Sequence, residues 1–366
     1  MLPLSFLVTM KVHRGKEEEK LIIDANLYWF DERIFQSIKE QDKFLADIPK
    51  SYGMNGYIKK VDNGDNHQIV IEKPTGYQNL NYIQGEYVLE KQLAALDQAN
   101  VDKAIMKIPG CHEFMSLEMC KQFNNGMADY TKRSHGRLIP LIVIPPYGIQ
   151  ENIDELKRCR EELNMHDIQL CAHYGEHYLD SDIFKSFFEE LNQKKTTVYI
   201  HHTPVPVEHE ALYQYNNLRR SYGRCVDQTT AIGREIFSGF FEKYPNLTFV
   251  HSMLGGGFFS IANMMFPKQS RTKEEVSRFE AGNQDIIEIF KKHIYFEMSH
   301  AQPWGKEQLE CAIKVLGADH IIFGTSYPVR KEWLAEGVDF INALDISNTD
   351  KNLILGLNAQ NLYHID

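Results

Sequence analysis

Short apolar runs rich in β-branched residues alternate along this chain with stretches whose apolar positions recur every three or four residues. The strand-like runs are Leu21–Ala25, Lys103–Ile108, Leu138–Ile144, Asp167–Ala172, Thr197–His201, Leu247–Ser252, His293–Met298 and His320–Gly324, eight in all. Between them, Leu89, Leu93, Leu96 and Ala99 keep helical spacing within Tyr87–Asn100. Glu151–Leu163, Ile183–Leu191, Ala231–Phe241, Glu307–Leu316 and Glu332–Leu344 read the same way. Apolar strands separated by amphipathic helices imply parallel pairing through crossover connections. Eight such units predict a closed, distorted (β/α)8 TIM barrel rather than an open doubly wound sheet.

The spacing breaks twice. Residues 38–85 hold Ile58–Val61, the turn-forming run Asp62-Asn63-Gly64-Asp65, and Gln68–Ile71, which together read as a hairpin. Because this insertion follows the first strand, it emerges at the C-terminal face of the barrel, where active sites sit. A second insertion, residues 203–225, carries His209, Tyr213, Tyr215, Arg219, Arg220 and Arg224 on the same face. Long insertions on one rim act as lids or substrate-contacting walls, the alternative being tolerated surface decoration. Residues 21–366 are read as a single domain preceded by an arm, 1–20, whose apolar run Leu2–Val8 falls well short of the ~20 residues of a membrane span. That run also lacks the flanks of a signal peptide.

Composition narrows the partners. The 366 residues carry 40 Lys+Arg against 50 Asp+Glu, a net charge of −10, which argues against nucleic acid as a partner. Cysteines 111, 120, 159, 171, 225 and 311 form no CxxC pair and read as small buried hydrophobes in a reducing, cytoplasmic compartment.

Several segments, in order from about residue 20 to the C-terminus, resemble the amidohydrolase-related family of the amidohydrolase superfamily. Ile22-Ile23-Asp24-Ala25-Asn26-Leu27-Tyr28 sits where that family has a first strand ending in Asp-x-His-x-His. Thr197–His201 is similar to its fifth strand, and Phe237–Leu247 to its helix-to-sixth-strand junction leading into Phe249–Gly257. Gly317–Pro328 resembles its eighth-strand signature, and Leu355–Ala359 its final helix. The resemblance implies carboxy-lyase or hydrolase chemistry on a small carboxylated or aromatic acid, and a homodimer by analogy. It also implies a divalent metal, usually zinc, held by the first-strand pair, a fifth-strand histidine and an eighth-strand aspartate. Here those positions read Asn26, Tyr28, His201 and Ser326, with Met253 where a sixth-strand histidine assists. Only His201 keeps its identity, so the expectation is a chain without the usual metal site and with no cofactor. Residues two apart on a strand share a face, so with Met253 at the sixth-strand position His251 lies one layer below it on the same inward side.

Strand-end projection gives a polar inventory of Asn26, Tyr28, Lys107, His173, His201 or His202, His251, Glu297, Ser299 and Ser326. His112, His177, His209 and His300 fall on loops, where a surface position is the plain expectation. In one reading Lys107 and an arginine such as Arg219 hold a carboxylate. His201 or His173, with His251 nearby, then moves a proton, with Glu297 as orienting partner, while Asn26, Tyr28, Met253 and Ser326 line the substrate. In a second reading His173, His201, His251 and Glu297 form a relocated zinc site. A third is a catalytically silent barrel that binds a ligand or partner.

Overall fold

The computed structural model describes residues 20–365 except 50–52, 63, 204–206, 208–209, 213–214 and 266–282. The Leu2–Val8 run, His209 and Tyr213 lie outside the described residues. In chain order, β1 (Ile23–Tyr28) leads into α1 (Ile38–Ala46) and the strands β2 (Asn55–Lys60), β3 (His67–Glu72) and β4 (Gln78–Ile83). Then come α2 (Leu89–Gln98), β5 (Lys103–Lys107), α3 (Leu117–Arg133), β6 (Leu138–Pro140), β7 (Ile142–Val143) and α4 (Gln150–Glu161). They are followed by β8 (Ile168–Cys171), the short pair β9 (His173–Tyr174) and β10 (His177–Tyr178), α5 (Lys185–Leu191) and β11 (Thr196–His201). The last part holds α6 (Gly223–Phe237), β12 (Leu247–His251), β13 (Ile294–Glu297) and β14 (Ile321–Ile322), with helices Lys306–Leu316 and Lys331–Asn342 packed outside.

Two parallel sheets, β1-β5-β6 and β7-β8-β11-β12-β13-β14, meet at both edges. β6 runs straight into β7, and the Leu141 amide donates to Met106 O while the Ile142 amide donates to Asp167 O. At the other seam, Ala25 N donates to Phe323 O, Ser326 N to Asn26 O and Tyr28 N to Tyr327 O, all at 2.7–2.8 Å. With β6 and β7 counted as one bent stave, the described residues form eight staves, and the barrel is closed as the alternation predicts.

Helices cover the outside of the staves and side chains fill the inside, so the strands are buried on both faces and carry little polar alternation. Ile23, Ala25, Ile105, Leu141, Tyr199, Val250 and Ile322 form the interior cluster. Their neighbours Ala104, Met106, Val198, Ile200, Phe249, Ile321 and Phe323 join the outer core beneath the helices.

Three features depart from the sequence reading. The expected hairpin is part of a three-stranded antiparallel sheet, β2-β3-β4, preceded by α1, which Ser37 caps by accepting from the Glu40 amide. The helix expected from Ala231 begins at Gly223, because polar residues in its first two turns conceal the apolar stripe. Helix α3, capped by Ser116, runs 17 residues with no sequence expectation behind it; its Asn124 and Gly126 are buried where a helix stripe would ordinarily be apolar. Of the cysteines, 111, 120, 159 and 171 are buried, whereas Cys225 is partly exposed and Cys311 exposed. Among the described residues no helix is long and apolar enough to cross a membrane.

Candidate active site

Side chains two apart on a strand share a face, so the interior cluster fixes which strand ends enter the barrel. Ile105 points inward and Lys107 follows it; Tyr199 does the same for His201, and Glu297 enters at the end of β13. At the floor, the fully buried Lys107 ammonium donates to Ala25 O at 2.7 Å and lies 3.0 Å from the centre of the Tyr199 ring. Burial pushes the Lys107 amine well below its ordinary pKa, opposed by the charges of Glu297 and Asp24. The Glu297 carboxylate accepts from Tyr199 OH at 2.9 Å, Ser299 Oγ at 3.1 Å and the Ser299 amide at 2.5 Å; burial raises its pKa while Lys107 and these donors lower it. Asp24 ties β1 to the eighth stave, accepting from the Thr325 amide at 3.0 Å and Thr325 Oγ1 at 2.5 Å.

Above this floor the strand ends hold one another. The Asn26 amide nitrogen lies 2.9 Å from Glu297 Oε2, 3.0 Å from Ser326 Oγ and 3.1 Å from Ser299 Oγ, while the buried Asn26 Oδ1 has no partner among the described residues. Ser326 takes a left-handed backbone, φ +59°, a conformation that costs a non-glycine residue ~1 kcal/mol. His201 Nδ1 donates to the His202 carbonyl at 2.7 Å, which leaves Nε2 to accept from the Tyr28 hydroxyl at 3.0 Å. Burial, with the neighbouring His112, Lys107 and Arg224, holds His201 well below the usual imidazole range, so it is neutral. Burial also raises the Tyr28 pKa, so its phenol stays protonated.

These groups open into a cavity of about 100 Å³ between the barrel mouth and the lid strand β4. Tyr28, His201, His202, His300 and Ser326 form its base and walls, Asn79 to Tyr82 its roof, and Arg220, Arg224 and Arg330 its cationic rim. The two insertions meet here: Arg220 Nη2 donates to Asn79 O and Arg224 Nη2 to Asn79 Oδ1, each at 3.3 Å. Among the described residues no carboxylate pairs with Arg220 or Arg224, and the buried Nε of Arg224 has no partner. Burial, then the adjacent Arg220, lowers the Arg224 pKa to about 10, which leaves it charged at neutral pH.

Of the residues expected at the mouth, the structure gathers Tyr28, His201, His202 and Ser326 on the cavity, with Asn26, Glu297 and Ser299 directly beneath. It does not bring the others there. Lys107 is spent on the floor. His251 points outward, because Val250 occupies the inward position, and its imidazole is sandwiched between Gln228 Oε1 at 2.9 Å and Glu235 Oε2 at 2.8 Å of α6. His173 sits in a separate cluster, its Nδ1 donating to Gly175 O at 2.9 Å and its Nε2 lying 2.7 Å from Thr203 Oγ1, beside the buried carboxylate of Asp227. Arg219 is buried over the Tyr77 ring and donates to Asn216, so Arg220 and Arg224 are the arginines of its segment that face the mouth. Met253 opens a left-handed turn that runs to Gly257 rather than continuing the strand.

The loop histidines are corrected as well. His112 is buried with its ring 5.4 Å from that of His201, and His300 lines the cavity, whereas His177 is exposed. The run Asn79–Tyr82 escaped the reading, because nothing in a polar insertion says which of its strands will roof the mouth.

With the geometry in hand, the chain can be placed among known proteins. The sequence profile of the amidohydrolase family matches residues 113–365, so the chain belongs to that family. It is 25% identical over 261 residues to 2-amino-3-carboxymuconate-6-semialdehyde decarboxylase of Dictyostelium discoideum, covering 69% of this chain and 68% of the relative. The fold is shared with 5-carboxyvanillate decarboxylase of Sphingomonas paucimobilis, at a TM-score of 0.72 and 19% identity over 95% of this chain and 100% of the other. The same TM-score of 0.72, at 21% identity over 96% and 97% of the two chains, relates it to 5-carboxyvanillate decarboxylase of Novosphingobium aromaticivorans. That structure is a complex with manganese and 4-hydroxy-3-methoxy-5-nitrobenzoic acid.

The manganese overturns the expectation of no cofactor, since a structure of this architecture carries a divalent metal. The relocated zinc site does not form: His173 and His251 face away from His201 and Glu297. Among the described residues no group of three or more His, Cys, Asp and Glu side chains is disposed to hold a metal ion. At the strand ends, His201 Nε2 is taken by Tyr28, while Glu297 and Ser326 are taken by Asn26. The described residues do not fit such an ion as they stand.

Proposed function

We propose that the chain is a carboxy-lyase that removes carbon dioxide from a small aromatic or unsaturated acid bound at the barrel mouth. The observation that carries this reading is the pair Arg220 and Arg224, which converge on the cavity with no described carboxylate to neutralise them. In a protein of net charge −10, two half-desolvated guanidiniums facing a hole are a ready site for a carboxylate, which would gain charge-assisted, bidentate hydrogen bonds. The decarboxylase names of the relatives support the same reading.

In the reaction the bond between the ring carbon and the carboxyl carbon breaks, carbon dioxide leaves, and the electron pair left on the ring carbon takes a proton. The arginines hold the acid, and the Asn79–Tyr82 strand roofs it against water. Tyr28, protonated and hydrogen-bonded to neutral His201, is the proton-bearing wall group at the reacting end. The Asn26–Glu297–Lys107 floor fixes these strand ends and does not touch the substrate.

The test is carbon dioxide release from a panel of hydroxybenzoic and unsaturated dicarboxylic acids, run in D2O with and without added manganese. The expected result is release from at least one acid with deuterium at the vacated carbon, and its loss in Arg224→Ala. No release from any acid, together with no binding of any carboxylate, would favour the silent barrel instead.

A further inference from the structure

We infer that Asn79, on the lid strand β4, is a positioning residue that aims the Arg224 guanidinium at the mouth; this rests on the proposed reading of that mouth as a carboxylate site. Arg224 belongs to the first turn of α6, and the main chain beside it is fixed from below. The turn Met253–Gly257 keeps positive φ at every residue, and Gly256, φ +69°, lies so close that a Cβ there would come 2.1 Å from Cys225 O. The backbone of Arg224 is therefore seated by the barrel, but its side chain is not. Among the described residues its buried Nε has no partner, and the hydrogen bond from Nη2 to Asn79 Oδ1 at 3.3 Å is the polar contact that the guanidinium makes.

Asn79 is itself 3% exposed, so its side-chain amide is shielded from bulk water. An asparagine suits this task because it offers an uncharged acceptor. A carboxylate at the same place would hold the arginine equally well but would neutralise it, leaving less charge for a substrate. Arg220 depends on the position differently, since it donates to the main-chain oxygen of Asn79 and would keep that bond in any side-chain variant. The lid thus does two jobs through one residue: it covers the cavity, and it sets one cation of the rim.

Salicylate binding by calorimetry, on the whole protein, tests this. Asn79→Ala should weaken binding about tenfold and, for any acid that is turned over, raise KM with kcat within about twofold. Asn79→Asp, nearly isosteric and so safe for folding, should bind worse than Asn79→Ala, because it holds Arg224 but competes with the anion. In an Arg224→Ala background, Asn79→Ala should have no further effect, the signature of a residue acting through another. Wild-type binding by either Asn79 variant, or additive losses in the double variant, would overturn the inference. Arg224→Ala binding salicylate as tightly as the wild type would instead sink the carboxylate-site reading beneath it.

Discussion

The two ends of the barrel treat buried charge in opposite ways. At the mouth, Arg220 and Arg224 stand without described carboxylates, and His112, His201, His202 and His300 are all pushed toward the neutral form by burial. At the opposite rim the polar groups are engaged by the backbone. Asp167 accepts from the Thr197 amide at 2.7 Å, the Thr197 hydroxyl donates to Leu362 O at 2.7 Å, and His293 Nδ1 donates to Leu247 O at 2.7 Å. One end keeps two arginines with no carboxylate partner among the described residues; the other commits Asp167, Thr197 and His293 to main-chain groups. This matches the division of labour in such barrels, where the C-terminal face carries function and the N-terminal face stability.

The strongest way to break the contrast is at the floor between the two ends. Glu297→Ala removes the acceptor of Asn26, Tyr199 and Ser299 and leaves the Lys107 amine without its carboxylate. It should cost ~3–5 kcal/mol in urea unfolding, whereas Glu297→Gln, which keeps the size and one acceptor, should cost clearly less. Equal losses would mean that the floor is held by packing and not by its polar network.

Asp167 sharpens the comparison from the far rim. Burial lifts its pKa to about 7, against the backbone bond from Thr197 and the charge of Arg160 that oppose it. The folded state then binds a proton that the unfolded chain has released, so this group's contribution falls as pH rises from about 4 to about 7 and is flat above. Asp167→Asn keeps an acceptor for Thr197 and should stabilise the protein at pH 8 by at most ~4 kcal/mol, with little gain at pH 4. An unchanged melting temperature at pH 8 would remove Asp167 from the ledger.

The mouth should slope the other way. His112 and His300, held by burial at about 4 and about 3, stay neutral when folded but protonate in the unfolded chain below its ordinary imidazole pKa of 6.5. Their contribution is full above pH 6.5 and is lost as the pH falls toward 4. His112→Gln should flatten that acid limb without altering the alkaline one. Gly256→Ala adds a methyl that would meet the Cys225 main chain at 2.1 Å on a left-handed backbone, φ +69°; a loss of ~3 kcal/mol or more is expected, with weaker salicylate binding because Arg224 moves with its neighbour. Loss of stability with unaltered binding would separate the turn from the site.

Much of this molecule was legible in the sequence because its signals are local. Apolar strand runs and helical spacing are set by each segment's own need to bury its faces, and the eight expected strands lie within a few residues of the observed ones. The strand ends could be projected too, since a period of two carries Tyr199 inward to His201. The same rule misplaces a residue when the phase is wrong: His251 reads inward only if Val250 reads outward, and packing against Glu235 and Gln228 decided otherwise. Lys107 shows a different limit. Its inward direction was readable, but its depth was not, and depth spent the ammonium on Ala25 O and the Tyr199 face instead of on a ligand. Asn79 and Arg224, 145 residues apart, meet only because the lid folds back over the mouth. The sequence by itself determined the barrel and the family. Tertiary structure alone decided which cations have no carboxylate partner among the described residues, because that depends on which distant carboxylates the folded chain brings within reach.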